Sequence, residues 1–221
     1  MSSLVSQTSV AEPDSSTFRV SWVSALAGAL LCGLAFGVLT NLAQGWLPGA
    51  WNNLANSGAV WSSVAFVTGA VLAAKVSLRL AAVAGLLAEL GLVVGYYGYA
   101  EFGFDRSGMG NLTWPLIWIG MAGIAGPLFG VAGRWSRRGR TLLRRTVGTA
   151  SLAGVFGAEA IAYHWDLRYT AQAVACVAVL ILIPLALART LKGRVLALLT
   201  AAAFSLVAYF TVFAFLSNAS A

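Results

Sequence analysis

Charge is scarce in this chain. Lysine and arginine number 14, aspartate and glutamate 7 and histidine 1, so only 10% of the 221 residues are charged. A soluble globular domain carries about 25% charged residues, because polar groups must cover its surface. Here 59% of the residues are hydrophobic and the mean hydropathy is +0.82. These values exclude a soluble α/β enzyme and a nucleic-acid-binding module, in spite of the net charge of +7. Cysteine is equally sparse: Cys32 and Cys176 each lie inside an apolar run, offer no disulfide framework or metal set, and read as core filler. His164 stands alone and brings no metal set either. No Walker-type phosphate loop, HExxH or paired aspartate motif is present, so ATP hydrolysis, zinc proteolysis and magnesium-dependent diphosphate chemistry lack their equipment, and no cofactor is expected.

What the chain does have is long apolar runs, at about 20–42, 58–74, 80–100, 112–133, 146–163, 171–188 and 195–216. Each approaches the ~20 residues that cross a bilayer as a helix. The expected fold is therefore an all-α, polytopic membrane bundle of seven transmembrane helices. Lys and Arg beside membrane helices gather on the cytoplasmic side. With the N-terminus inside, the inner segments hold 12 of the 14 basic residues: Arg19, Lys75, Arg79, six arginines from Arg134 to Arg145, Arg189, Lys192 and Arg194. Only Arg106 and Arg168 fall outside. The N-terminus is thus placed inside and the C-terminus outside. Residues 1–18 are polar and read as a disordered cytoplasmic tail, and 19–217 as the seven-helix domain. No signal peptide is expected, since the first apolar run is too long and no basic segment precedes it.

In lipid the hydrophobic effect cannot draw helices together, so close packing relies on small residues in stripes. The first run has one in Ala25, Ala29, Gly33 and Gly37, leading to Asn41. Ala122, Gly126 and Gly130 repeat the pattern in the fourth, and Gly91 with Gly95 in the third. Such a face meets either another helix of the chain or a partner subunit. Pro127 and Pro184 interrupt the fourth and sixth runs, where a freed carbonyl and a kink can shape a cavity.

Aromatic residues are distributed unevenly. Of the eight tryptophans, Trp46, Trp51, Trp61, Trp114, Trp118 and Trp165 sit at the outer ends of the runs, leaving Trp22 and Trp135 inside. Tyr96, Tyr97, Tyr99, Phe102, Phe104 and Tyr163 join the outer group. Interfacial belts occur at both faces, so the excess points to an outer pocket or cap. The uncharged first outer segment, NLAQGWLPGAWNNLANSG, suits either a belt or an amphipathic lid carrying Trp51.

A carboxyl in hydrocarbon is costly and is a functional candidate by default. Glu89 falls near the midplane of the third run, and Glu159 about 7 Å below the outer boundary at a rise of ~1.5 Å per residue. Glu101 marks the outer exit of the third run, with Asp105 and Arg106 beyond it. Glu89 suits either a protonated carboxyl hydrogen-bonded across a helix contact or a cavity wall with Tyr96 and Tyr97 two turns above. Glu159 faces an outer region with His164, Asp166 and Arg168. The expected ligand-binding set is Glu89, Glu159, Tyr96, Tyr97, Trp51, Trp61, Trp118 and Glu101. Carboxyls walled by aromatic rings suit an organic cation, or equally an acid-initiated reaction of an apolar substrate through a carbocation.

The segments WNNLANSGAVWSSVAFVTGA, GYYGYAEFG and WPLIWIGMAGIAGPLFGVAGRW resemble an uncharacterised family of small bacterial integral membrane proteins, a domain of unknown function, over most of residues 20–215. The resemblance implies a multi-pass protein of the bacterial plasma membrane and transfers no site residues. The size, the small-residue stripe and the aromatic outer segments are also similar to substrate-binding subunits of energy-coupling-factor importers, which usually have six spans. By architecture alone the chain resembles small membrane terpene cyclases as well. These readings give a binding or transport-associated subunit, with a terpene-cyclase-like enzyme or a structural or regulatory subunit as alternatives. The expected partners are the lipid bilayer, and membrane or ATPase subunits meeting the Gly33 and Gly37 stripe or the Arg134–Arg145 loop. Nucleic acid is not expected, since basic runs beside a span meet anionic headgroups.

Overall fold

The structure is a computed structural model and describes residues 21–103 and 112–213. The tail at 1–18, Arg19, Phe104, Asp105 and Arg106 lie outside the described residues. Within them the chain is helical, with no strand: α1 (Trp22–Trp46), α2 (Trp51–Ala55), α3 (Gly58–Leu72), α4 (Leu78–Gly103), α5 (Thr113–Arg138), α6 (Leu142–Trp165), α7 (Thr170–Leu187) and α8 (Leu191–Ala208). A π-helical turn, Tyr209–Phe213, extends α8. Helix starts fall where a hydroxyl can accept an otherwise unpaired backbone N–H. Ser21 accepts from Val23, Ser57 from Val60, Thr141 from Arg144 and Thr190 from Gly193. Pro127 and Pro184 are accommodated within α5 and α7, neither of which ends there.

The small-residue stripes govern the packing. Gly33 and Gly37 of α1 press against α4, where a methyl group on either would overlap the carbonyl of Ala88 or Leu92. Gly91 and Gly95 of α4 meet the backbone of α1 at Leu30 and Leu34 in return. The face of Gly33 and Gly37 is therefore occupied by α4. A second junction joins three helices: Gly69 of α3 and Gly85 of α4 both lie against Gly130 of α5. Only a glycine there lets the backbones come so close.

The distribution of side chains is that of a membrane protein. The buried apolar positions are mostly alanines, while Leu31, Val71, Ile124, Leu143, Leu199 and Phe210 are exposed. Water would penalise such a surface, whereas lipid chains accept it. Among the described residues six helical segments are long and apolar enough to cross a membrane: Trp22–Trp46, Trp51–Leu72, Leu78–Gly103, Thr113–Arg138, Thr170–Leu187 and Leu191–Val212. The exception among the long helices is α6. Its 24 residues include the buried small residues Gly148, Thr149, Ala150, Ala153, Gly154 and Gly157. It packs against α3, α5, α7 and α8, so protein rather than lipid surrounds much of it and little bulk is required. Cys176 is buried, but Cys32 is exposed on α1 and is not core filler.

Candidate functional site

The two ends of the bundle differ in chemistry. At one end Arg134 donates through Nε to the carbonyl of Val76 at 3.1 Å, tying the close of α5 to the α3–α4 turn. The α5–α6 and α7–α8 turns share a cavity at the same end. Lys75, Arg79 and the Arg134–Arg145 and Arg189–Arg194 groups thus lie together. The opposite end carries Trp46, Trp51, Trp114 and Trp165, and there Tyr209 donates to the Asp166 carboxylate at 3.1 Å.

Toward that aromatic end, α3, α4 and α5 bring together four of the expected residues. Trp61 is 2% exposed, and its ring lies 4.9 Å from Trp118 and 5.4 Å from Tyr96. Tyr96 and Tyr97 meet edge-on at 5.0 Å. Spacings near 5 Å with tilted planes are favourable aromatic geometry. α1 completes it: Asn41 donates through Nδ2 to the carbonyl of Tyr96 at 3.1 Å, and the Tyr96 hydroxyl donates to Oε1 of Gln44. Glu89 lies two helical turns before Tyr96 on α4, on nearly the same face, and is 3% exposed. Oε1 of Glu89, Nε1 of Trp61 and Oδ1 of Asn41 are buried and have no hydrogen-bond partner among the described residues. A buried polar group without a partner costs about 1–3 kcal/mol, so each of the three calls for an explanation.

Glu159 belongs to different surroundings. It is 6% exposed on α6, and its Oε1 accepts the backbone N–H of Ala59 at 2.8 Å. That amide is in the first turn of α3, where helix N–H groups have no partner within the helix and the dipole favours negative charge. Glu159 therefore closes the start of α3, while its Oε2 has no partner among the described residues. Its neighbours form the core group of Ala59, Phe156, Ala160, Tyr163 and Cys176, distinct from the group of Trp61, Ala88 and Leu92 beside Glu89.

The remaining expected residues are peripheral. Trp51 is 38% exposed at the start of α2, and Glu101 is half-buried in the last turn of α4. His164 and Arg168 are exposed. Asn41 and Gln44 are the members that sequence reasoning did not place in the site. Asn41 carried a signal, as the polar end of the stripe that docks α1 on α4, but Gln44 read as part of an outer segment. No group of three or more metal-ligating side chains occurs among the described residues.

The model of the Family of unknown function (DUF6518) matches residues 17–218. Neither the curated proteins nor the solved structures contain a match to this chain.

Proposed function

The chain belongs to the DUF6518 family, and from that premise we propose that it is a transport-associated membrane subunit binding a small organic molecule against the wall of Trp61, Trp118 and Tyr96. The carrying observation is the set of unpartnered buried atoms there: two acceptors, on Glu89 and Asn41, and one donor, on Trp61. A cationic or hydrogen-bond-donating nitrogen would satisfy either acceptor, and an acceptor on the ligand would satisfy the Trp61 donor. The aromatic faces add cation–π attraction of about 0.5–2 kcal/mol for each well-placed ring. Trp51 on α2 and Glu101 on α4 border the approach from the aromatic end, and Tyr97 supports Tyr96 from behind.

In this reading all seven long helical segments span the bilayer, with the N-terminus in the cytoplasm and the C-terminus outside. α6 crosses because it joins the basic end of α5 to the start of α7 through short turns. Its 24 residues reach about 36 Å at 1.5 Å per residue, enough for a core of about 30 Å. The membrane is the bacterial plasma membrane, with the basic turns on its cytoplasmic side.

The test is native mass spectrometry of the protein extracted gently from its host membrane. A retained small molecule, reduced at least tenfold by Glu89→Gln and by Trp61→Phe at unchanged expression, supports the binding reading. Retention unaffected by both substitutions removes this wall from any site. Co-purification of an ATPase and a second membrane subunit supports the transport assignment. Turnover of an isoprenoid-like substrate by the purified chain replaces it with an enzymatic one.

A further inference from the structure

The cavity at the basic end, remote from the aromatic wall, has a volume of about 180 Å³, is partly open, and is bordered by the α5–α6 and α7–α8 turns. Arg140, Arg145 and Arg189 stand around it, and all three are exposed. Its floor is polar and buried: Thr146 is 7% and Thr149 2% exposed. Two helices begin at its edge, α6 after Thr141 and α8 after Thr190, and each directs the positive end of its dipole to this side of the bundle. Among the described residues no carboxylate lines the cavity. Thr146 lines it with an Oγ1 that is buried and has no hydrogen-bond partner among the described residues.

Positive charge beside a membrane helix needs no special explanation, since arginines gather at the cytoplasmic face in general. A cavity with a buried, unpartnered hydroxyl among its lining residues is more than that. Guanidinium groups pair bidentately with tetrahedral oxyanions, helix starts bind them through backbone N–H groups, and a threonine hydroxyl supplies a further donor. We infer that this cavity is a binding site for a phosphate group, held by Arg140, Arg145 and Arg189 above the Thr146 hydroxyl. The group comes either from an anionic phospholipid headgroup, whose acyl chains run along the lipid-facing surface, or from a soluble phosphate.

The full-length protein in detergent is tested with two probes. Dioleoyl phosphatidylglycerol is offered against dioleoyl phosphatidylcholine and read by native mass spectrometry, and inorganic phosphate is titrated and read by thermal unfolding. A charged hydrogen bond is worth about tenfold in affinity, so Arg189→Gln is expected to weaken the effective probe about tenfold and Thr146→Val severalfold. Arg137→Gln, whose side chain does not line the cavity, is expected to bind as the parent does. Selective retention of phosphatidylglycerol that these two variants lose identifies a lipid headgroup as the source. Stabilisation by inorganic phosphate with the same loss identifies a soluble phosphate. Binding of neither probe by the parent protein, or equal binding by parent, Arg189→Gln and Thr146→Val, overturns the inference. Arg189 is exposed and Thr146→Val preserves side-chain shape, so neither result is obscured by misfolding.

Discussion

Glu159 keeps one oxygen on the amide of Ala59, and that contact distinguishes two substitutions. Glu159→Gln retains an acceptor oxygen and is expected to cost about 1 kcal/mol or less. Glu159→Leu leaves the fully buried N–H of Ala59 without a partner and is expected to cost about 1–3 kcal/mol. Thermal unfolding in detergent measures both, and equal effects would show that the acceptor is immaterial. The sequence identifies Glu159 as a costly buried carboxyl but not its partner, because Ala59 lies 100 positions away in the chain. Glu89 was legible through periodicity, since Tyr96 lies two turns further along the same helix face. Trp61 and Trp118 were legible only as residues at the same end of the bundle; their contact depends on how α3 and α5 sit against α4.

At the scale of helices, glycine positions that look alike in sequence differ sharply in consequence. Gly28 and Gly33 both belong to α1, yet a methyl group at Gly28 meets nothing within 4 Å while one at Gly33 strikes the backbone of Ala88. Gly28→Ala is therefore expected to be neutral or to stabilise by up to about 1 kcal/mol through helix propensity. Gly33→Ala and Gly130→Ala are expected to destabilise by about 1–3 kcal/mol, since the helices must separate. Unfolding midpoints of the three variants check this, and a Gly33→Ala protein as stable as Gly28→Ala would mean that the α1–α4 contact is loose. The four-residue spacing in α1 predicted a close helix contact, and the structure assigns that contact to α4. The sequence alone favours a helix of the same chain but leaves a partner subunit open to the same face.

For the whole molecule, orientation is the testable property. In a background with Cys32 and Cys176 replaced by alanine, Arg138→Cys and Arg168→Cys place a thiol beyond each end of α6. A membrane-impermeant maleimide applied to intact cells is expected to label the second and to reach the first only after permeabilisation. Labelling of both from the same side would mean that α6 does not cross, and would reduce the bundle to six spans. α6 tests the limits of hydropathy because its composition suits a protein-lined environment. Alanine, glycine and threonine fill the spaces between neighbouring helices where leucine would be too large.

The sequence by itself determined that this is a helical membrane protein and where most of its helices lie. Lipid imposes length and apolarity on every helix it surrounds, and both properties are local. It also determined which end of the bundle is basic and which aromatic, since each follows from alternation along the chain. The tertiary structure decided what each buried polar group faces. Glu159 meets the start of α3, Glu89 lies below an aromatic wall completed by α1, and Thr146 lines a cavity among arginines from separate turns. Those relations join residues far apart in sequence, and helix packing rather than any local pattern brings them together.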